Sequence, residues 1–408
     1  NCVKIVKANN TKQFEQSIDS SSLIVQDETF FGTLSENIKR YCHSYEALWC
    51  QYFCEKFSNE SDDLVLIATY FTLFTYTVYE GIRHDWGIVL KIITMSTTAS
   101  QGLIKLQNIL CNPKTLRKLA EDLKEIYLEY ERYTTQKYPK YLQRSLALIK
   151  RINYALLAFC LTALSTVIIL PFIFYYVKNE KLLVGPMQIP GIDVKDGWGF
   201  RIHFCVQAAM LTIGTYGNFA ADSFCFLVLS HTSLFKDLLY CKFQDLDEIL
   251  LQYPRNSLKS KPLLQDILKW HQKHVLFIET ASSTYFWVIL VQISTAVTGI
   301  VTTLVCQFLG IYPNAVGYLI YCAVLFYIYC GIGNLYESVN EEVIDIIYDS
   351  LWYNLTINEQ KLILFMLHKS QTVQGLTIGK LIPLSLNTAL KLTRSMYTLS
   401  MMLLQFLD

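Results

Sequence analysis

Apolar positions fall in long runs rather than in the short stripes of a water-soluble core. Seven runs can be marked, at 64–82, 88–111, 146–175, 202–229, 285–309, 316–335 and 376–407. Each is near or above the ~18–25 residues that carry a helix across a bilayer, the first two least clearly. The polar stretches between them keep a helical period. In 116–133, Leu116, Leu119, Leu123, Ile126 and Tyr127 share one face, with acids and bases on the others. The same holds for 235–251, 263–277 and 337–353, which read as helices continuing out of the membrane. The last run differs from the rest. Asn387, Lys391, Arg394, Thr398, Met402 and Gln405 recur at spacings of four, three, four, four and three, so polar groups gather on one face of a helix about 48 Å long. Leu386, Leu390, Leu392, Met396, Leu399 and Leu403 fill the other faces. Unpaired polar groups in hydrocarbon cost several kcal/mol each, so the stripe faces either protein or a water-filled path. Its two charges, Lys391 and Arg394, tilt the choice toward the path.

Composition agrees with membrane residence. The 408 residues are 52% hydrophobic and 17% charged, against about 25% charged in soluble chains. A net charge of +1 gives no case for nucleic acid. The first twenty residues are polar without an apolar centre, so no cleavable signal peptide is expected. The 12 cysteines are scattered, mostly inside apolar runs, and form no metal or disulfide framework; Cys50 and Cys54, one turn apart, read as packing. No cofactor is implied.

Basic residues set the orientation. Segments 1–61, 112–145, 232–274 and 337–375 lie on the amino-terminal side and hold nearly all of them, whereas the opposite side has Lys178, Lys181 and Lys195 in one long loop. By the positive-inside rule the amino terminus is cytosolic and the carboxyl terminus outside. A G-protein-coupled receptor has the reverse orientation, and its acidic-Arg-aromatic and Asn-Pro-x-x-Tyr signatures do not occur. The expected organisation is a cytosolic segment 1–61, helices one to four over 62–232, cytosolic extensions over 233–284, helices five and six over 285–336, a cytosolic anchor over 337–375 and a pore-lining helix over 376–408.

Candidate chemistry is sparse. Aromatic and small polar groups crowd the outer halves of spans two, three, four and six: Met95, Thr97, Thr98, Thr162, Ser165, Phe172, Phe204, Met210, Thr215, Tyr318 and Tyr321. An apolar, aromatic pocket with a few hydroxyls suits a volatile, uncharged ligand, although helix packing alone also accounts for any single one of them. Asp222, within the fourth span, reads first as a paired carboxylate. His271 and His274 lack a third ligand at metal spacing and read as solvated or capping groups. Gly375, Gly379 and Lys380 miss the phosphate-loop spacing and read as a glycine-assisted approach to the last helix. No catalytic signature is present, which leaves a membrane enzyme a distant third.

From the sixth span onward the chain resembles the insect odorant receptors. The carrying residues are YCGIGNLYESVNEEVIDIIYDSLWYNL (329–355), with Ser338, Tyr348 and Trp352 in the signature, and LIPLSLNTALKLTRSMYTLSMMLL (381–404). HQKHVLFIE (271–279), the Asp222 region and GPMQIPGI (185–192) are similar more loosely. TLSMMLLQF (398–406) is also close to the ending of the related gustatory receptors, with Leu399 where that family has Tyr. The resemblance implies a plasma-membrane, ligand-gated, non-selective cation channel of four subunits in a sensory neuron dendrite, assembled with a shared co-receptor. It places a short anchor helix at 359–369, anchor contacts at Ser338, Tyr348 and Trp352, and a hydrophobic constriction at Met402 and Phe406 with Gln405 between them. Thr398, Arg394 and Lys391 would line the pore below.

Overall fold

The computed structural model describes residues 72–79, 81–82, 86–131, 137–178, 183–192, 197–312 and 315–407, all within a unit running from Leu64 to Asp408. Segment 1–61, the first part of the first span (64–71), Cys50 and Cys54 lie outside the described residues; of that span, 72–79 and 81–82 are helical. Among the described residues nine long helices follow: α1 (Trp86–Cys111), α2 (Pro113–Glu131), α3 (Lys137–Lys178), α4 (Gly197–Ser230), α5 (Thr232–Gln252), α6 (Ser257–Phe308), α7 (Val316–Asp349), α8 (Ile357–Thr372) and α9 (Leu386–Leu407). A 3-10 turn, Trp352–Asn354, precedes α8. A two-stranded antiparallel hairpin, β1 (Thr377–Ile378) and β2 (Ile382–Pro383), precedes α9.

The protein is an all-α membrane protein. Among the described residues, Gly87–Cys111, Lys137–Val177, Gly197–Gln252, Ser257–Phe308 and Val316–Asn354 are long and apolar enough to cross a bilayer. They contain spans two to six of the sequence reading. Helix α9, at 22 residues, is about 33 Å long, but its polar stripe keeps it out of that group.

The bundle has an apolar exterior and a largely apolar core through which a few polar stripes run. Ile169, Ile173 and Val177 on α3 and Trp287 on α6 are exposed, while Thr94, Thr97, Gln101 and Lys105 on α1 are buried. These four recur every three or four residues, so α1 turns a polar stripe inward. Each is met by a neighbour. Thr94 donates to Thr302 Oγ1 at 3.3 Å and Gln101 to Thr295 Oγ1 at 3.0 Å, both on α6. Lys105 Nζ lies 2.7 Å from Asp222 Oδ1 on α4, with the two side chains 4% and 2% exposed. Lys105 also donates to Asn218 Oδ1 at 3.2 Å, and Tyr329 on α7 donates to Asp222 Oδ1 at 2.5 Å. In a bilayer, where lipid is as apolar as leucine, such bonds and close packing are what join helices. Asp222 is thus a paired carboxylate, fastening α1, α4 and α7 together.

The helices continue past the spans as the periodic segments require. Leu116, Leu119, Leu123, Ile126 and Tyr127 are all buried. Trp270 on α6 donates to the Phe235 carbonyl of α5 at 3.0 Å and stacks on its ring, and Lys242 pairs with Asp266. His271 and His274 are a correction to the sequence reading: neither is solvated. The helical period turns both toward α5 and α8, where His271 Nε2 meets Ser370 Oγ at 2.7 Å and His274 stacks on Phe235. Burial pushes the His271 pKa down to about 4 and that of His274 to about 3.

Helix α8 is longer at both ends than the expected 359–369. Thr356 and Glu359 form a reciprocal capping box at its start, and Glu359 also accepts from Ser257 and Ser260, tying α8 to the foot of α6. The last helix starts ten residues later than the apolar run suggests. Gly379 and Lys380 have φ of 62° and 61°, and Leu381 N–H donates to Ile378 O at 3.2 Å, closing a tight turn. Pro383 follows, and Ser385 accepts the Thr388 N–H at 3.3 Å as an N-cap. The hairpin packs against α7 at Gly333, where the Leu384 backbone occupies the space of a side chain.

Candidate functional site

Two groups of residues stand out, one where α1, α4, α6 and α7 converge near the 183–192 loop, the other on the free face of α9. In the first, Tyr318 on α7 reaches the start of the α1 stripe. Its hydroxyl is 2.5 Å from Thr97 Oγ1 and 2.9 Å from Thr98 Oγ1. Both Tyr318 Oη and Thr97 Oγ1 sit against the bare Cα of Gly299 on α6, where a Cβ would meet them at 3.0 and 2.9 Å. Tyr321, one turn along, stacks on Phe159 of α3 with centroids 5.9 Å apart. Phe172 and Phe204 pair edge-on at 4.9 Å between α3 and α4. Met95 lies beneath Gly185, its sulfur 2.9 Å from where a Cβ would stand, and Met210 is half-buried on α4.

The structure therefore brings Met95, Thr97, Thr98, Tyr318 and Tyr321 toward one another through α1 and α7. Thr162 and Ser165 it does not: they are on the exposed face of α3 and donate to their own helix, at 2.8 Å to Phe159 O and 2.9 Å to Thr162 O. Among the α3 residues that meet α7 are Phe159 and, against Gly317, Thr166 and Val167.

Sequence reasoning missed what holds the loop over this region. Gln207 accepts from Gly185 N–H at 2.9 Å and donates to Met187 O at 2.6 Å. His203 Nε2 accepts from Ile189 N–H at 2.9 Å, with Nδ1 2.8 Å from Gly199 O. The opposite requirements of an N–H and a carbonyl fix the neutral Nδ1–H tautomer. His203 and Gln207, one turn apart and buried inside an apolar run, were the available signal.

The second group shows its packed face clearly. Ala389, Met396 and Ser400 are buried against the rest of the chain. Counting 100° per residue, the stripe Asn387, Lys391, Arg394, Thr398, Met402 and Gln405 lies about 180° round from them. Lys391, Arg394, Thr398, Met402 and Gln405 are exposed, and neither base makes an ion pair among the described residues. Met402 is 50% and Phe406 80% exposed, against 37% for Leu403; Phe406 lies about 80° from the centre of the stripe, on the Met402 side.

At the other end of α7, Ser338 donates to Glu342 at 3.2 Å, and Glu342 pairs with Lys236 of α5. That ion pair holds the Glu342 carboxyl below its ordinary pKa. Trp352 Nε1 donates to Tyr348 O at 3.2 Å, leaving the Tyr348 ring exposed. A cavity of about 250 Å³ opens nearby, lined by Gly333, Glu337, Asn340, Glu341 and Leu384 among others. Its acidic lining does not suit an apolar volatile.

Residues 88–397 match the profile of the 7tm odorant receptor family. Over 357 residues the chain is 26% identical to putative odorant receptor 83c of Drosophila melanogaster, spanning 83% of this chain and 88% of that one. Its fold matches the olfactory receptor OR5 of Machilis hrabei, solved in complex with eugenol and in a second structure, with a TM-score of 0.68 in each case. The identities are 15% and 16%, over 86% of this chain and 90% of that receptor. The chain belongs to the insect odorant receptor family.

Proposed function

We propose that this odorant receptor is the ligand-tuning subunit of a ligand-gated, non-selective cation channel in the plasma membrane of a sensory neuron dendrite. The amino terminus and the 233–284 and 337–375 regions are cytosolic, the carboxyl terminus is outside, and the partners are co-receptor subunits in a tetramer. A hydrophobic odorant binds near the 183–192 loop, among Met95, Thr98, Phe172, Phe204, Met210, Tyr318 and Tyr321. The exposed face of α9 lines the pore, with Met402 and Phe406 narrowing it. Ser338, Tyr348 and Trp352 belong to the anchor, where the exposed Tyr348 ring is available to a neighbouring subunit.

The observation that carries this reading is the placement of the α9 stripe. A seam within the subunit would face α6 and α7, yet those helices receive Ala389, Met396 and Ser400 instead. Polar side chains aimed away from the subunit in a bilayer need water or another chain. Lys391 and Arg394 repeated in four identical subunits would repel cations, which favours a mixed assembly. Ligand binding then works by population shift, favouring the arrangement in which the apolar constriction widens and wets.

Thiol accessibility tests the pore face. In cells co-expressing the chain with co-receptor, Thr398→Cys is expected to lose current to a charged thiol reagent applied during agonist exposure. Ser400→Cys, on the packed face, and the unmodified chain are expected to keep theirs. Block through Ser400→Cys with Thr398→Cys untouched would place the pore elsewhere.

A further inference from the structure

Donor and acceptor accounting around Tyr318 points to a class of ligand. With Thr97 Oγ1 donating its hydrogen to Thr94 O at 2.7 Å, the 2.5 Å contact with Tyr318, in which either oxygen could donate, is assigned the phenol's hydrogen. Thr98 in turn donates to Tyr318 Oη at 2.9 Å. The chain runs in one direction: Thr98 hydroxyl to Tyr318 hydroxyl to Thr97 hydroxyl to the Thr94 carbonyl. Every hydrogen in it is spent inside the protein. What remains is lone pairs, most freely on Thr98 Oγ1, which accepts from no group among the described residues. Thr98 and Tyr318 are only half-buried, so this oxygen-rich end keeps accessible surface.

The other hydroxyls nearby are equally committed. Thr162, Ser165, Thr212 and Thr215 all donate to carbonyls of their own helices. Tyr321 donates to no group among the described residues, and it is 9% exposed beneath the Phe159 ring.

We propose that Thr98, held by Tyr318 and Thr97, is the polar recognition point of the odorant pocket and accepts a hydrogen bond, so that the receptor selects ligands bearing a hydrogen-bond donor: alcohols and phenols over matched ethers, esters and ketones. This rests on the odorant pocket proposed above and names its ligand class. Gly299 belongs to the device, because a Cβ there would push both Thr97 Oγ1 and Tyr318 Oη aside. The arrangement also carries its own reversal. In Tyr318→Phe the Thr98 hydroxyl loses the oxygen to which it donates, and its hydrogen becomes free for a ligand's acceptor.

The test is calcium flux in cells expressing the chain with co-receptor. A broad odorant panel finds agonists, and each is then compared with its donor-blocked or donor-restored partner, such as a primary alcohol with its methyl ether or a ketone with its secondary alcohol. The donor form is expected to be more potent by about tenfold, the worth of one hydrogen bond. Thr98→Val is expected to weaken the donor form selectively, and Tyr318→Phe to erase or invert the ratio. Agonists without donors that match or exceed their alcohols in the unmodified receptor, or a ratio that survives Tyr318→Phe, overturn the proposal. Loss of such acceptor-bearing agonists in Tyr321→Phe would show that the reading residue is Tyr321 instead. If agonists are found and no variant shifts any half-maximal concentration, the pocket itself lies elsewhere; a chain silent to the whole panel removes the channel reading.

Discussion

Gly331 and Gly333 sit two residues apart on α7, and the structure assigns opposite consequences to the same substitution. A Cβ on Gly331 meets nothing within 4 Å. A Cβ on Gly333 would fall onto the Leu384 carbonyl group, with the carbonyl carbon at 2.8 Å and Cγ at 2.6 Å. Carbon atoms pack at about 3.5–4.0 Å, and the Leu384 carbonyl oxygen is nearer still, so Leu384 has to withdraw by about 1 Å or more. It has little freedom to do so, because its N–H is bonded to Leu376 O at 2.8 Å and its side chain is buried. Overpacking of this kind costs about 1–3 kcal/mol. Replacing a helical Gly by Ala returns about 1 kcal/mol at either position, and that gain cancels when the two variants are compared. Gly331→Ala is therefore expected to stabilise the assembly, and Gly333→Ala to melt below it by a margin worth about 1–3 kcal/mol. Thermal melts of detergent-solubilised, fluorescently tagged channel, followed by size-exclusion chromatography, measure the difference. A Gly333→Ala variant that melts at or above Gly331→Ala would refute the close approach between α7 and the hairpin.

Three further outcomes follow from other parts of the molecule. Removing one partner of the buried Lys105–Asp222 pair, as Lys105→Met or Asp222→Leu, should cost about 3–5 kcal/mol and lower surface expression, while the double variant recovers most of it; surface biotinylation decides, and a double variant no better than the worse single one sinks the idea. Met402→Ser and Phe406→Ala should raise ligand-independent current in patch clamp while Leu403→Ala alters packing or expression, and a leak from Leu403→Ala alone would mean that the pore face is misassigned. Because the folded pKa values of His271 and His274 lie below the ordinary 6.5, the unfolded chain binds more protons once the pH drops below that value. Stability is then complete above about pH 6.5 and falls toward pH 4, at up to about 1.4 kcal/mol per pH unit for each imidazole. His274→Phe should make that slope shallower, leaving the contributions of His271 and of the similarly buried His231, and melts with an unchanged slope would contradict the burial of this ring.

Spans two to six were legible because hydrocarbon demands long apolar runs, and their helical continuations because one face of each repeats every three or four residues. The α9 stripe was visible for the same reason, and so was its separation from Met396 and Ser400, since both follow from 100° steps alone. The starting point of α9 was not. The residues from 376 to 385 are nearly as apolar as the helix, and only the backbone twist at Gly379 and Lys380 separates them from it. Lys105 could have been paired with Asp222 as a base and a lone acid in different spans, but the two are 117 positions apart and no local period links them. The histidines failed differently: spacing reported that they share a face and was silent on what that face meets. Thr162 and Ser165 were the right residue types on the wrong side of α3.

The outward direction of Lys391 and Arg394 bears on the life of the unassembled subunit. A chain alone in the membrane would turn both toward lipid, at about 2.5–3.5 kcal/mol apiece at mid-bilayer depth and less where the side chains snorkel to the surface. In the proposed assembly, partner subunits that supply water or counter-charge would remove that penalty and stabilise the subunit by mass action. Under the proposed assembly, an orphan chain would keep both bases turned toward lipid, so the abundance of this receptor is expected to depend on its partners as well as on its own synthesis.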